Sequence, residues 1–283
     1  MSEPDIKAEH AMLAAGTISL LSRKGHSDER TVLFLHGIGS NSASFLPLMR
    51  ALPQRWNLIA WDAPGYANST PLVETWPLAA DYADAVDHLL AVRGIDGPVD
   101  IIAHSLGCLI ASALARRVPA RIRRMILMAP ALGYGVARGG VLPESVQGRI
   151  NELETLGPEE FAARRAPRLV HAPERHGDTA NVVRAAMALV KMPGYGQAAR
   201  MLSSGDLLAD VAHARGRILV INGIDDQVTP LAGAERLVAA LRQRTPEKAL
   251  RARLHVVTDA GHAVSIEQPT AVASAISEFL EAE

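Results

Sequence analysis

A serine on an abrupt turn is the residue of this sequence that most clearly indicates chemistry. The stretch AHSLGCLIASALA, residues 103–115, begins as the end of an apolar strand and continues as a helix, with Ser105 between them. The positions two before and two after the serine hold the small residues Ala103 and Gly107, as a tight strand-to-helix turn requires. A serine on such a turn could attack a carbonyl carbon, although an N-capping serine in a plain turn is the structural alternative.

A serine hydroxyl is a poor nucleophile unless a base takes its proton and a third group orients that base. Asp225 and Asp226 follow an apolar run in INGIDDQVTP, and His262 follows the last such run in DAGHAVSIEQP. Because the carboxyl ends of parallel strands meet at one edge of a sheet, we expect these residues to converge there with Ser105. Alone, an acid after a strand is often a helix cap, and a loop histidine is often solvated. The interpretation therefore depends on the serine, the acid and the histidine occurring together, each after an apolar run.

The elements that must position these residues alternate along the chain. Short, continuous apolar runs are typical of strands buried on both faces of a parallel sheet. They occupy residues 31–37, 56–65, 99–105, 124–130, 217–223 and 253–261, and residues 16–30 form a further short strand and a polar turn. Helical patterns separate them, for example at residues 78–94, 232–244 and 270–280. This alternation predicts an α/β fold with a mostly parallel sheet and helices on both faces.

One long segment, residues 131–215, interrupts the alternation because it contains helical patterns broken by Gly and Pro and no convincing strand. A block of this length between two strands predicts an all-helical lid inserted into the core. We therefore expect a core of residues 1–133 and 215–283 and a lid of residues 134–214. Side chains of the lid that could face a substrate are Arg164, Arg165, Arg200, Met187, Met192, Tyr195, Met201 and Leu202.

Composition sets further limits on what the chain does. The 283 residues are 48% hydrophobic and 21% charged, with a formal net charge of −1, so no overall positive field draws the chain to nucleic acid or to a membrane. The single cysteine excludes an intramolecular disulfide, and no apolar run has the length of a signal peptide or a membrane span. We expect a cytoplasmic protein; the sequence does not indicate its oligomeric state.

The chain resembles the α/β-hydrolase superfamily, specifically its lid-bearing group of enol-lactonases, esterases and carbon–carbon bond hydrolases. The resemblance covers nearly the whole chain and implies an eight-stranded sheet. It rests on five motifs in order, HGIGSNSASF at 36–45, DAPGYANS at 62–69, AHSLG at 103–107, GIDDQVTP at 223–230 and GHAVSIEQP at 261–269.

The resemblance implies a role for each matched residue. Ser105 matches the nucleophile, His262 the base and Asp226 the acid, with Asp225 as the neighbouring alternative for the acid. The backbone N–H groups of Leu106 and Ile38 match the oxyanion hole, with Gly39 as the alternative to Ile38. This chemistry requires no cofactor, and the histidines of the insertion lack partners at metal-ligand spacing.

The resemblance implies a small-molecule acyl substrate. Positions at which this chain differs from the family pattern favour some substrate classes over others. Carbon–carbon hydrolases usually have an asparagine before the nucleophile and an aromatic residue after the catalytic histidine, whereas this chain has His104 and Ala263. An ester or lactone substrate is therefore favoured, with carbon–carbon cleavage, amide cleavage and a non-catalytic small-molecule receptor on the same fold as alternatives.

Overall fold

An eight-stranded sheet forms the centre of the molecule in the computed structural model, which describes residues 5–26, 30–243 and 252–282. The strands are β1 Lys7–Leu13, β2 Gly16–Arg23, β3 Thr31–Leu35, β4 Asn57–Trp61, β5 Val99–His104, β6 Ile122–Met128, β7 Arg217–Gly223 and β8 Ala252–Val257. Their order across the sheet is β1-β2-β4-β3-β5-β6-β7-β8. The six strands from β3 to β8 are mutually parallel, whereas β1 and β2 form an antiparallel hairpin whose second strand pairs antiparallel with β4.

Helices cover both faces of the sheet, as predicted. They are α1 Leu46–Ala51, α2 Ala79–Val92, α3 Gly107–Arg117, α4 Glu144–Arg165, α5 Gly177–Met187, α6 Gly194–Ser204, α7 Leu207–Val211, α8 Leu231–Gln243, α9 Val264–Glu267 and α10 Pro269–Glu281. Alternate residues of β3 show the two layers, because Leu33 packs in the core beneath α2, α3 and α8 while Phe34 packs in the core beneath α1 and α10. The predicted fold class is confirmed.

The segment between β6 and β7 is helical throughout its regular structure and contains α4 to α7. We call residues 134–214 the helical insertion. Within α4, Gly157 has a φ of +74° and breaks the helix, so Pro158 begins its second half. The insertion is held to the core where Gln197 Nε2 donates to the carbonyls of Leu72 and Glu74, at 2.7 and 2.8 Å. The exact boundaries of core and lid stay a prediction.

The strand β1 is not visible as an apolar pattern because it lies at the sheet edge with most of its side chains exposed. The polar turn at residues 24–30 and the helix at 232–244 are described only in part, because residues 27–29 and 244 lie outside the described ranges. Among the described residues, no helix is both long enough and apolar enough to cross a bilayer.

Candidate active site

Ser105 lies on a strained turn between β5 and α3. Its φ of +51° is in the left-handed region, which costs a residue with a Cβ atom roughly 1–2 kcal/mol. The turn brings Gly107 so close to β3 that a Cβ atom there would lie 2.2 Å from the carbonyl oxygen of Leu35. The Ser105 N–H donates to the carbonyl of Met128 at 2.9 Å, which ties the turn to β6. The sequence spacing of small residues around the serine thus has a steric cause.

The loop after β7 carries Asp226, and the backbone itself holds the carboxylate. Oδ1 accepts the N–H groups of Val228 and Thr229 at 2.8 and 2.9 Å, and Oδ2 accepts the Thr229 hydroxyl at 2.8 Å. This loop lies against the loop after β8, because a Cβ atom on Gly223 would be 2.3 Å from the carbonyl oxygens of Ala260 and Gly261. The glycine therefore permits the close approach that brings two distant segments together.

His262 meets Asp226 across this contact. The distance from His262 Nδ1 to Asp226 Oδ2 is 2.9 Å, and the two side chains are 4% and 0% exposed. Because Nδ1–H donates to the carboxylate, Nε2 is left as the acceptor of the neutral ring. Burial raises the pKa of Asp226, but the hydrogen bond and charge of His262 and the donors of Thr229 outweigh it and hold the pKa below its usual value.

The neighbouring Asp225 points elsewhere. Its Oδ2 lies 3.1 Å from Nδ1 of His171 in the helical insertion, and its side chain is 43% exposed. The structure thus brings Asp226, and not Asp225, to His262. Within the described chain, no group of three or more His, Cys, Asp or Glu side chains is arranged to hold a metal ion.

Ser105 and His262 face one cavity of about 640 Å³ between the sheet edge and the helical insertion. The Ser105 hydroxyl makes no hydrogen bond to any described residue, so the hydrogen bond between this hydroxyl and the imidazole of His262 is not formed in the structure. The cavity wall also contains Ile38, Pro130, Ala131, Leu132, Gly133, Tyr134, Arg149, Arg165, Arg168, Leu169, Met187, Tyr195, Leu202, Val228, Thr229, Pro230, Ala232, Gly233 and Arg236.

Two backbone N–H groups beside Ser105 are unused. Neither the Ile38 N–H nor the Leu106 N–H donates a hydrogen bond within the described chain. The Gly39 N–H, in contrast, donates to the Tyr66 hydroxyl oxygen at 3.5 Å. The preceding residue, Gly37, lies directly against the serine, since a Cβ atom there would be 3.0 Å from Ser105 Cβ. Two free donors flanking one hydroxyl are the arrangement that an oxyanion hole needs.

Two further histidines support the site. His36 Nδ1 donates to the Gly37 carbonyl and Nε2 accepts the Ala63 N–H, both at 2.9 Å, and burial lowers its pKa. His104 Nε2 donates to the carbonyl of His262 at 2.8 Å, and the two rings are 4.8 Å apart. Burial, followed by the proximity of His262, lowers the pKa of His104 to about 3. Both supporting rings are therefore neutral near pH 7.

Several residues of the site are not indicated by the sequence alone. Thr229 Oγ1 lies 3.1 Å from His262 Nδ1 in addition to its bond to the acid. Glu267 accepts the N–H groups of Gly261 and His171 at 2.9 and 2.7 Å, so it joins the histidine loop to the insertion. Of the insertion residues proposed from sequence, Arg165, Met187, Tyr195 and Leu202 line the cavity. A polar residue within three positions of a candidate acid is the only sequence signal that could have indicated Thr229.

Comparison with known proteins decides the family. A model of the alpha/beta hydrolase family matches residues 32–275 of this chain. The chain belongs to the α/β-hydrolase family. The matched range includes the turn that carries Ser105, the loop that carries His262 and most of the sheet, and the match confirms the resemblance that the five motifs indicate.

Relatives of this α/β hydrolase include esterases and other hydrolases. It is 28% identical over 273 residues to a pimeloyl-[acyl-carrier protein] methyl ester esterase of Neisseria meningitidis, with 89% of this chain and 93% of the relative covered. It is 27% identical to an (E)-2-((N-methylformamido)methylene)succinate hydrolase of Acinetobacter baylyi, with 88% and 90% covered. The enol-lactonase of Burkholderia xenovorans LB400 shares the fold with a TM-score of 0.83, at 22% identity over 97% of this chain and 100% of that one. The chain is thus an enzyme of the hydrolase class.

Proposed function

We propose that this α/β hydrolase cleaves a small carboxylic ester or lactone through an acyl-enzyme on Ser105, with His262 as the base and Asp226 as the orienting acid. The observation that carries the proposal is the shared cavity. A histidine held by a buried carboxylate at 2.9 Å and a serine on a strained turn both face it. Strain at a serine between a buried strand and a helix is the local geometry of a nucleophile elbow.

In the first half of the reaction, Nε2 of His262 takes the proton of the Ser105 hydroxyl as Oγ bonds to the carbonyl carbon of the substrate. The ester C–O bond then breaks, and His262 returns the proton to the leaving oxygen. Ser105 and His262 are not hydrogen-bonded to each other in the structure, and we expect this bond to form when substrate binds, since such bonds tighten in the Michaelis complex.

The negative oxygen formed in this step would be held by the N–H groups of Ile38 and Leu106. Each such donor is worth about 3–4 kcal/mol of transition-state stabilisation. In the second half, a water molecule gives its proton to His262 and attacks the acyl carbon, which releases the carboxylic acid and restores Ser105. The proposed reaction thus uses Ser105, His262, Asp226, the two N–H donors and one water molecule.

The size and lining of the cavity support a small-molecule substrate. A volume of about 640 Å³ lies within the range of sites for small ligands, roughly 300–1,000 Å³. Apolar side chains such as Leu132, Met187 and Leu202 form much of the wall and suit a hydrocarbon portion of the substrate. The relatives named above include an ester hydrolase and an enol-lactonase, which agrees with this substrate class.

The test compares hydrolysis of p-nitrophenyl butyrate by the wild type, Ser105→Ala and Ser112→Ala. Ser112 is a matched control on α3, because its buried hydroxyl has no hydrogen-bond partner and does not face the cavity. We expect Ser105→Ala to lose at least about 10³-fold in kcat, and Ser112→Ala to retain the wild-type rate. A fluorophosphonate should add its phosphonyl mass to the wild type and not to Ser105→Ala. Turnover by Ser105→Ala within tenfold of wild type would refute the nucleophile assignment.

A further inference from the structure

The wall of the active-site cavity has an unbalanced charge. Among the described residues that line it, four are arginines, Arg149, Arg165, Arg168 and Arg236. The other ionisable side chains in this lining are those of His262 and two tyrosines, and none of the described lining residues is Asp or Glu. The whole chain has a net charge of −1, so this concentration of positive charge is local to the cavity. Positive charge focused in a cleft attracts anionic ligands.

One of the four arginines already has an anionic partner. Arg165 binds Oε2 of Glu152 through Nη2 at 2.6 Å and Nε at 2.7 Å, and its guanidinium stacks over Phe161 at 5.1 Å. This ion pair neutralises Arg165 and fixes it in the wall. The other three arginines are Arg149, Arg168 and Arg236. Within the described chain, none of their guanidinium nitrogens lies within 4.0 Å of a carboxylate oxygen.

Arg149 is the most unusual of the three because it is half-buried. Its Nε donates only weakly, to the backbone carbonyl of Ser145 at 3.4 Å, and its guanidinium lies beside the buried hydroxyl of Tyr195. Neither neighbour is an anion. A partly desolvated cation without a counter-ion is unfavourable for the folded chain, and a bound anion would relieve that cost.

Arg168 and Arg236 are exposed and approach the cavity from two different parts of the fold. Arg168 follows α4 in the helical insertion, whereas Arg236 lies on α8 of the core. The same cavity wall contains the apolar residues Leu132, Leu169 and Leu202, which suit a carbon chain. The cavity is therefore shaped for an ester with an apolar body and an anionic group.

Resting on the proposed function, we propose that the substrate is an ester or lactone that carries a free carboxylate, and that Arg149 binds this carboxylate, with Arg168 and Arg236 attracting it at the entrance. A guanidinium matches a carboxylate geometrically because two parallel N–H groups can meet its two oxygens. The carboxylate belongs either to the acyl portion or to the leaving group, and two pairs of substrates separate these cases.

The experiment measures a preference, defined as kcat/KM for a charged ester divided by kcat/KM for its neutral counterpart. For the acyl portion, mono-p-nitrophenyl glutarate is compared with p-nitrophenyl butyrate. For the leaving group, 4-acetoxybenzoate is compared with phenyl acetate. We expect a preference of about tenfold or more in one of the two pairs, reduced about tenfold in Arg149→Gln. Added salt should lower the preference by screening the exposed arginines.

Arg164→Gln is the matched control, because Arg164 lies on the same helix, pairs with Glu160 on the surface and does not line the cavity. It should keep the wild-type preference. Wild-type preferences below about twofold in both pairs, or a preference unchanged in Arg149→Gln, would overturn the proposal. A preference unchanged in the double variant Arg168→Gln/Arg236→Gln would overturn the role of the two exposed arginines.

A binding measurement separates failure of this inference from failure of the proposed function. Calorimetric titration of Ser105→Ala with monomethyl glutarate, a stable ester that carries a free carboxylate, requires no turnover. Binding that weakens about tenfold when Arg149→Gln is added supports the carboxylate site even if no ester is hydrolysed. Hydrolysis of neutral esters together with titrations that are indistinguishable between the two variants contradicts the carboxylate site and leaves the proposed function intact.

Discussion

The choice between two adjacent acids gives the sharpest test of the site, because Asp226→Asn and Asp225→Asn make the same chemical change one residue apart. In Asp226→Asn, the remaining oxygen can still accept the N–H groups of Val228 and Thr229. The new amide nitrogen then faces Nδ1–H of His262, so two donors meet where a donor and an acceptor met before. The ring must move its proton to Nε2, where it can no longer accept the proton of Ser105.

The size of the effect follows from the burial of the pair. His262 and Asp226 have side chains only 4% and 0% exposed, so water cannot replace the lost acceptor or stabilise the imidazolium that forms during the reaction. Fixing the wrong tautomer of a catalytic histidine costs roughly 10⁴-fold in kcat, or about 5.5 kcal/mol. Asp225 makes a partly exposed contact with His171, and such pairs contribute about 0–1 kcal/mol. We expect Asp225→Asn to stay within about fivefold of wild type.

The assay is steady-state hydrolysis of p-nitrophenyl butyrate by the two variants, with thermal unfolding to establish that both are folded. The reasoning is refuted if Asp225→Asn loses more activity than Asp226→Asn. It is equally refuted if Asp226→Asn keeps a tenth or more of the wild-type kcat, because a buried acid in this position cannot be so dispensable.

Three further perturbations have defined outcomes. Thr229→Val removes a hydroxyl donor to Asp226 and should lower kcat/KM about tenfold, whereas Thr229→Ser should retain most of it; equal values for the two variants would exclude the hydroxyl. The pKa of His104 is lowered, so between about pH 6 and 4 the unfolded chain binds a proton that the folded chain refuses, and the free energy of unfolding falls by about 1 kcal/mol per pH unit on acidification. In urea titrations across this range, His104→Gln should show a shallower dependence on pH, and an unchanged slope would contradict the assignment. Gly107→Ala places a Cβ atom 2.2 Å from a carbonyl oxygen of β3 and should cost about 3 kcal/mol or more, whereas Gly148→Ala in an open position of α4 should stabilise by up to about 1 kcal/mol. Similar urea midpoints for the two alanine variants would contradict the steric account.

The core of the fold could be predicted because its signals are local. Continuous apolar runs ending in Gly or a polar residue mark β3 to β7, whose residues are mostly buried, as is typical of the central strands of a parallel sheet. The run at β8 is also visible in the sequence, although only Ala252 and Val257 of that edge strand are buried. The edge strand β1 lacks that signal because only one of its residues, Ala11, is buried. Its place in the sheet is set by pairing with β2, which is a tertiary property and leaves no apolar pattern in the strand itself.

The candidate triad could be predicted to within one residue for a related reason. Each of its members follows a strand of the parallel part of the sheet, and parallel strands bring their carboxyl ends to one edge. The choice between Asp225 and Asp226 is made by the backbone of the loop after β7, which directs one carboxylate to its own Val228 and Thr229 N–H groups and the other to the insertion. Motif spacing favours Asp226, and the hydrogen bonds supply the physical reason.

The position of Arg149 beside Arg165 in the cavity wall could not be predicted in the same way, because the break at Gly157 resets the phase of the helix that carries both residues. In an unbroken α-helix, Arg149 and Arg165 would be about 160° apart around the axis, on nearly opposite faces. They line the same cavity because the left-handed conformation of Gly157 turns the second half of α4 relative to the first. A helical wheel drawn from the sequence therefore separates two residues that the fold brings together. The candidate catalytic residues follow strands, so local sequence patterns indicate them. The position of Arg149 in the cavity wall, in contrast, depends on how the broken helix α4 packs over the sheet.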